Sequence, residues 1–208
     1  MVDAETINGL AALDSATIYE AQGGVGALPI YIRPLFPWMK LCGPAFPVLS
    51  CGGDNLMAHA AAAQAGPGDI LVIGTGHYLA GGLWGDILTL AAQKRGIAGL
   101  LTDGCVRDSN TINEMKFPVF SAGVFMGGTT KKNKGTMNQS IKLGGVMISP
   151  GDIIVADSDG AVVVAAEKAS DVLKAALARE AEEEEKRRKI ESGVSTLDLF
   201  NLRPILDA

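Results

Sequence analysis

Residues 67–121 read PGDILVIGTGHYLAGGLWGDILTLAAQKRGIAGLLTDGCVRDSNTINEMKFPVFS. The turn Pro67-Gly68-Asp69 launches Ile70-Leu71-Val72-Ile73, whose unbroken apolar, mostly β-branched character predicts a buried strand. A glycine-rich loop, Gly74 to Gly85, follows. Asp86 to Arg95 predicts a helix with Ile87, Leu88, Leu90, Ala91 and Ala92 as its apolar side, and Gly96 stops it. Ile97 to Thr102 reads as a second strand and Asp103-Gly104 as a turn. Arg107-Asp108 opens a short helix to Lys116, and Pro118 to Ser121 forms a third strand. Strands alternating with helices imply an α/β domain with a partly parallel sheet and right-handed crossovers.

Outward from this stretch the pattern changes. Asp3 to Gln22 predicts one or two short helices, with Asp14 or Ser15 as a cap before the second and Gly23-Gly24 ending it. Three prolines between Leu28 and Pro37 demand an extended or looped chain. Met39 to Ser50 reads as interrupted strand, Gly52-Gly53-Asp54 as a turn, and Asn55 to Gln64 as an alanine-rich helix. Gly144 to Val164 reads as successive short strands with turns at Pro150-Gly151-Asp152 and Asp157-Ser158-Asp159-Gly160. Glu167 to Ser192 reads as one long charged helix. Pro-Gly-Asp-Ile occurs at 67–70 and again at 150–153, which is reused turn chemistry and not a repeat.

The 208 residues suit one domain with a full core. Apolar residues make up 48% and charged residues 20%, as in a globular protein. The net charge of -5 and the lack of a basic stripe argue against nucleic acid as a partner. The most basic cluster, Lys131-Lys132-Asn133-Lys134, reads as a solvated loop. No apolar run reaches the roughly 18 residues a membrane span needs, and no signal peptide is apparent. Three cysteines without a C-x-x-C pair suggest buried free thiols in a reducing compartment, hence a cytoplasmic protein.

Chemistry concentrates between Gly81 and Asp108. Gly81-Gly82-Leu83-Trp84-Gly85-Asp86 runs straight into a helix. A helix start offers free N–H groups and the positive end of the dipole, which suits a carboxylate against the amides of Gly85 to Leu88. Arg107 and Asp108 follow the next parallel strand, so both loops meet at one sheet edge. Arg107 can grip a keto acid with two parallel hydrogen bonds, and Asp108 can ligate a hard cation.

Asp86, twenty intervening residues and Arg107-Asp108 form a D-x20-R-D motif. With Gly52-Gly53-Asp54-Asn55, PGDILVI at 67–73 and PGDIIVADSDG at 150–160, it resembles the family of 4-hydroxy-4-methyl-2-oxoglutarate and 4-carboxy-4-hydroxy-2-oxoadipate aldolases. That family also contains the regulator of ribonuclease E activity A. The resemblance implies a layered α/β/β/α sandwich over residues 1–208, with helix 167–192 packing on a neighbouring subunit of a homotrimer or homohexamer. It implies a class II pyruvate aldolase using Mg²⁺ or Mn²⁺, with oxaloacetate decarboxylation as a side activity. Pyruvate would meet the backbone of Gly85, Asp86, Ile87 and Leu88 and the side chain of Arg107. Asp108 would hold the metal and Asp86 a metal-bound water. A glutamate among Glu182 to Glu185, by position Glu183, would reach a neighbour's site. The alternatives are a regulator that binds a ribonuclease, or a dedicated oxaloacetate decarboxylase.

Other features weigh less. Gly74-Thr75-Gly76 lacks the context of a dinucleotide loop. His59 reads as a packed or capping histidine, and Trp84 as packing. His77 and Tyr78, in the loop Thr75 to Gly82, are expected to touch the distal part of the substrate, and segment 133–139 to share in specificity. Cys105 and Ser109 have no histidine partner in sequence, so a nucleophilic mechanism lacks support.

Overall fold

The computed structural model describes residues 2–206. Two helices open the chain, α1 (Ala4–Ala11) and α2 (Ser15–Ala21). Asp3 caps α1 by accepting the Thr6 N–H at 2.7 Å. The expected cap of α2 takes a different form. Asp14 stands at the N-cap without a side-chain capping bond, and Ser15 donates both its N–H and its hydroxyl to Asp157 at 2.7 Å.

The prolines at 29–37 leave room only for β1 (Arg33–Pro34). Then come β2 (Leu41–Leu49), α3 (Leu56–Gln64) and β3 (Ile70–Gly74). The glycine-rich loop is not wholly loop. It contains β4 (Gly82–Trp84), too short and glycine-rich to show a strand period. Next follow α4 (Asp86–Lys94), β5 (Gly99–Thr102), β6 (Cys105–Val106), α5 (Ser109–Glu114), β7 (Val119–Ser121) and β8 (Gly123–Val124). Short strands then dominate: β9 (Thr136–Met137), β10 (Ile141–Leu143), β11 (Val146–Ile148), β12 (Ile153–Ala156) and β13 (Ala161–Val164). The chain ends in α6 (Ala169–Glu191), α7 (Thr196–Leu199) and α8 (Arg203–Leu206).

The main sheet is mixed, in the order β1-β7-β5-β3-β2-β12-β13, with β9 also on β2. The expected parallel part is β2-β3-β5-β7. Neighbouring residues of β12 and β13 face opposite sides, as the pleat requires. Ile153, Val155, Val162 and Val164 join a core with α1, α2 and the start of α6, while Ile154, Ala156, Ala161 and Val163 face the larger core. The result is a mixed α/β domain with helical layers around a curled sheet and a long C-terminal helix. No helix of the described residues is long and apolar enough to cross a membrane.

One feature of the topology positions the site. Strands β3, β5 and β7 are each followed in the chain by a strand of a second, parallel sheet, β4-β6-β8. The small sheet repeats the order of its parents at their carboxyl ends. Pairing of Trp84 with Val106, and the Arg107 N–H to the Trp84 carbonyl at 2.8 Å, lock Gly85 beside Arg107.

Candidate functional site

Helix α4 starts at this junction. Trp84 is fully buried and stacks on Phe117 at 6.2 Å between ring centroids. Its indole N–H donates to the Thr89 hydroxyl at 2.8 Å, which donates to the Gly85 carbonyl at 3.0 Å. The expected packing role of Trp84 is thus joined by a second one: it braces the first turn of α4. The apolar side predicted for α4 is only partly buried. Leu88, Thr89 and Ala92 face the core, whereas Ile87 and Leu90 are 69% and 49% exposed.

A cavity of about 290 Å³ opens in front of the helix start. Gly85, Asp86, Ile87, Leu88 and Arg107 all line it, as their placement at one sheet edge predicts. Asp108 is not on the wall but touches two residues that are. Its Oδ2 lies 3.3 Å from the Asp86 nitrogen and 3.4 Å from Arg107 Nε. Asp108 adopts a left-handed backbone (φ 57°) before α5, a conformation a short polar residue tolerates. That bend turns its carboxylate back onto Gly85 and Asp86.

The amide cradle is partly occupied by the protein's own carboxylates. Asp86 Oδ1 accepts the Ile87 N–H at 2.8 Å, and Asp108 faces the Asp86 N–H. Among the described residues the Leu88 N–H has no partner. Negative groups already gather where an anion is favoured.

Some residues reach the cavity that the sequence did not place there. Asn55, His59, Gly128, Thr129 and Lys131 complete its walls. His59, half-buried on α3, thus lines the cavity; burial and the nearby Lys131 lower its basicity. Asn55 gives its amide to the Leu83 carbonyl at 3.1 Å, but its buried Oδ1 has no partner. Conversely, His77 and Tyr78 do not line the cavity. The His77 ring packs at a tilt against Tyr31, 4.1 Å between centroids, its backbone N–H donates to Asp103, and Tyr78 covers Gly52 and Gly53. Segment 133–139 does not line it either, since β9 is drawn onto β2.

Among the described residues no group of three His, Cys, Asp or Glu side chains could enclose a metal. A cation at this site would have one carboxylate, Asp108, with water and substrate oxygens completing its shell, a set that suits Mg²⁺ or Mn²⁺. Charge supports the fit. The carboxylates of Asp86 and Asp108 are matched by Arg107 and Lys131, so a dianionic substrate would bring negative charge that a divalent cation balances. Of the three cysteines only Cys105 is buried as expected, Cys42 being half-buried and Cys51 exposed at a turn; burial pushes the Cys105 thiol up and leaves little thiolate beside the site.

A family model described as RraA-like, Aldolase/RraA, matches residues 14–163. The chain belongs to the RraA-like family. A Halalkalibacterium halodurans protein named "Putative 4-hydroxy-4-methyl-2-oxoglutarate aldolase" is 33% identical over 188 residues, which cover 90% of each chain. Among crystal structures, an uncharacterized Pseudomonas syringae protein is similar at TM-score 0.86 and 29% identity, over 93% of this chain and 92% of its own. Streptomyces coelicolor RraAS2, described as an unusual member of the RNase ES inhibitor RraA protein family, is similar at TM-score 0.81 and 28% identity. That match covers 91% of this chain and all of RraAS2. The RraA-like fold thus accounts for the mixed sheet and the long terminal helix together.

Glu183 lies elsewhere on the same chain. It sits in the second half of α6, ion-paired with Arg179 at 3.1 Å and Arg187 at 3.5 Å. Only Ala169, Val172 and Ala176 of α6 are buried, so the helix beyond Ala176 packs little against its own chain.

Proposed function

We propose that this protein cleaves a 4-hydroxy-2-oxo di- or tricarboxylic acid to pyruvate and a second oxo acid, as a divalent-metal-dependent class II pyruvate aldolase of the cytoplasm. The observation that carries the reading is the locked junction of Gly85 and Arg107 against the Asp108 carboxylate. An anion-favouring helix start and a fork-shaped cation line one cavity there, with a carboxylate of the kind that ligates hard cations directly behind them.

Asp108 would hold Mg²⁺ or Mn²⁺, which when bound supplies Lewis acidity toward the substrate's keto oxygen. Arg107 and the Leu88 N–H bind and orient the C1 carboxylate, with the backbone of Gly85 to Ile87 closing round it. Asp86, half-buried on the wall, takes the C4 hydroxyl proton through a water. The C3–C4 bond then breaks, its electron pair moves into C2–C3, and the C2 carbonyl becomes an enolate oxygen. The Arg107 guanidinium stabilises that charge, and protonation at C3 completes pyruvate. Loss of CO₂ from oxaloacetate passes through the same enolate and follows as a side activity.

Glu183 enters this reading through assembly. The open second half of α6 and the exposed Ile87 and Leu90 support a homotrimer or homohexamer in which Glu183 reaches a neighbouring site.

The decisive experiment measures pyruvate release from 4-hydroxy-4-methyl-2-oxoglutarate with Mg²⁺, with EDTA, and in Arg107→Ala and Asp108→Ala. Each deletion should lower kcat/KM by about 100-fold or more. Full activity in EDTA or in either variant would refute the reading. The likeness to RraAS2 favours a second one, inhibition of a ribonuclease. Retention of a ribonuclease on immobilised protein, with no pyruvate released, would select it. Faster turnover of oxaloacetate than of any aldol substrate would instead indicate a dedicated decarboxylase.

A further inference from the structure

Asp54 is 1% exposed and lies between α3 and loop 128–133. Its Oδ1 accepts the Leu56 N–H at 2.9 Å, which fixes the start of α3. Its Oδ2 accepts the Thr130 hydroxyl at 2.6 Å, the Lys132 N–H at 2.7 Å, the Asn133 N–H at 3.1 Å and Asn133 Nδ2 at 3.3 Å. Two backbone bonds run alongside, Asn55 N–H to the Thr130 carbonyl and Thr130 N–H to the Gly53 carbonyl, both 2.9 Å. Burial pushes the Asp54 carboxyl up, but these donors outweigh it and hold it well below the usual carboxylate range.

The loop has little else to order it. Gly128 within it and Gly127 and Gly135 beside it loosen it, and Lys131, Lys132 and the adjoining Lys134 repel one another. Yet Thr129 and Lys131 from this loop, with Asn55 and His59 from the start of α3, form the cavity walls beyond the helix start and Arg107. One buried carboxylate joins the two elements that carry them.

We propose that Asp54 is a positioning residue that clamps loop 128–133 onto the cavity, so that Lys131 and Thr129 meet the part of the substrate remote from its 2-oxo acid end. This rests on reading that cavity as the substrate site. The clamp acts at a distance in sequence of 76 to 79 residues, and so couples the far end of the site to the turn Gly52-Gly53-Asp54.

Asp54→Asn tests it. The asparagine keeps one acceptor oxygen for Leu56, but its amide cannot accept the donors that face Oδ2. Trypsin should cut after Lys131, Lys132 and Lys134 about tenfold faster than in the unaltered protein, with other sites and the circular dichroism spectrum unchanged. For a 4-hydroxy-2-oxo dicarboxylate, KM should rise about tenfold with kcat within about threefold. Adding Asp54→Asn to Lys131→Ala should raise KM no further. Should Asp54→Asn not fold, Thr130→Val removes one donor and should give intermediate loop cleavage. An unchanged cleavage rate, faster cleavage spread evenly along the chain, or an equal KM rise on top of Lys131→Ala would overturn the clamp. If the unaltered protein turns over no 4-hydroxy-2-oxo acid, the aldolase reading falls, and the cleavage contrast alone decides for or against the clamp.

Discussion

A Cβ added at Gly85 would lie 2.3 Å from Asp108 Oδ2 and 3.3 Å from Arg107 Nε. The backbone there is extended (φ -151°), so alanine is conformationally acceptable and only space refuses it. Gly85→Ala must therefore push the carboxylate, and the arginine beside it, off the helix start. Misplacement of about 1 Å can cost a factor of about 100 in rate. The expected outcome is a fall of that size in kcat/KM for pyruvate release, with thermal unfolding shifted by only a few degrees. Near-normal activity would show that the Asp108–Arg107 arrangement is not needed.

The same junction shows what sequence can and cannot reveal. Strands β3 and β5 announce themselves as short unbroken apolar runs bounded by turn residues, and helix α4 as a helix-forming stretch closed by Gly96. That Gly85 and Arg107 lie at one sheet edge follows from parallel connectivity alone. By contrast β4 is a strand only because β6 pairs with it, and Gly82-Leu83-Trp84 has no pattern of its own. Asn55, His59 and Lys131 were illegible because the Asp54 bonds that bring them together span most of a domain half. His77 was misplaced because proximity in sequence to a glycine-rich loop says nothing about which side of it a ring faces. The faint signal that existed was Gly-Gly-Asp-Asn itself, a turn whose aspartate is followed directly by a cavity residue.

Thr89 offers a stability test separate from chemistry. It and Trp84 are both fully buried, and its hydroxyl is the only acceptor recorded for the Trp84 N–H among the described residues. Thr89→Val keeps the shape and leaves that donor unsatisfied, a loss of about 1–3 kcal/mol. Urea unfolding should show a lower midpoint with unchanged slope. No change in midpoint would mean that the indole finds another acceptor or that the pair contributes little.

Metal removal is the next expectation. With a single carboxylate to hold it, a divalent cation should bind weakly and exchange freely. Dialysis against EDTA should abolish pyruvate release, and Mg²⁺ or Mn²⁺ should restore it without refolding. Asp108→Asn should raise the Mg²⁺ concentration for half-activation by about tenfold or more. An unchanged requirement in that variant would place the cation elsewhere.

Acid sensitivity follows from Asp157, which ties the start of α2 to the β12–β13 turn. Burial pushes its carboxyl up, but the Ser15 N–H and hydroxyl and the Asp159 N–H outweigh that and leave it below its usual value of 3.8. A carboxyl whose pKa is depressed by folding binds fewer protons in the folded chain than in the unfolded one. Its stabilisation is thus complete above about pH 4 and drains away as pH falls below that toward the folded value. Asp157→Asn should be less stable at pH 7, where the charged contacts are lost. It should also show a smaller further loss between pH 5 and pH 3 than the unaltered protein, measured by urea unfolding at each pH. Equal losses over that interval would mean that Asp157 does not drive the acid transition, and would shift attention to Asp54, whose carboxyl is depressed by the same kind of buried donor set.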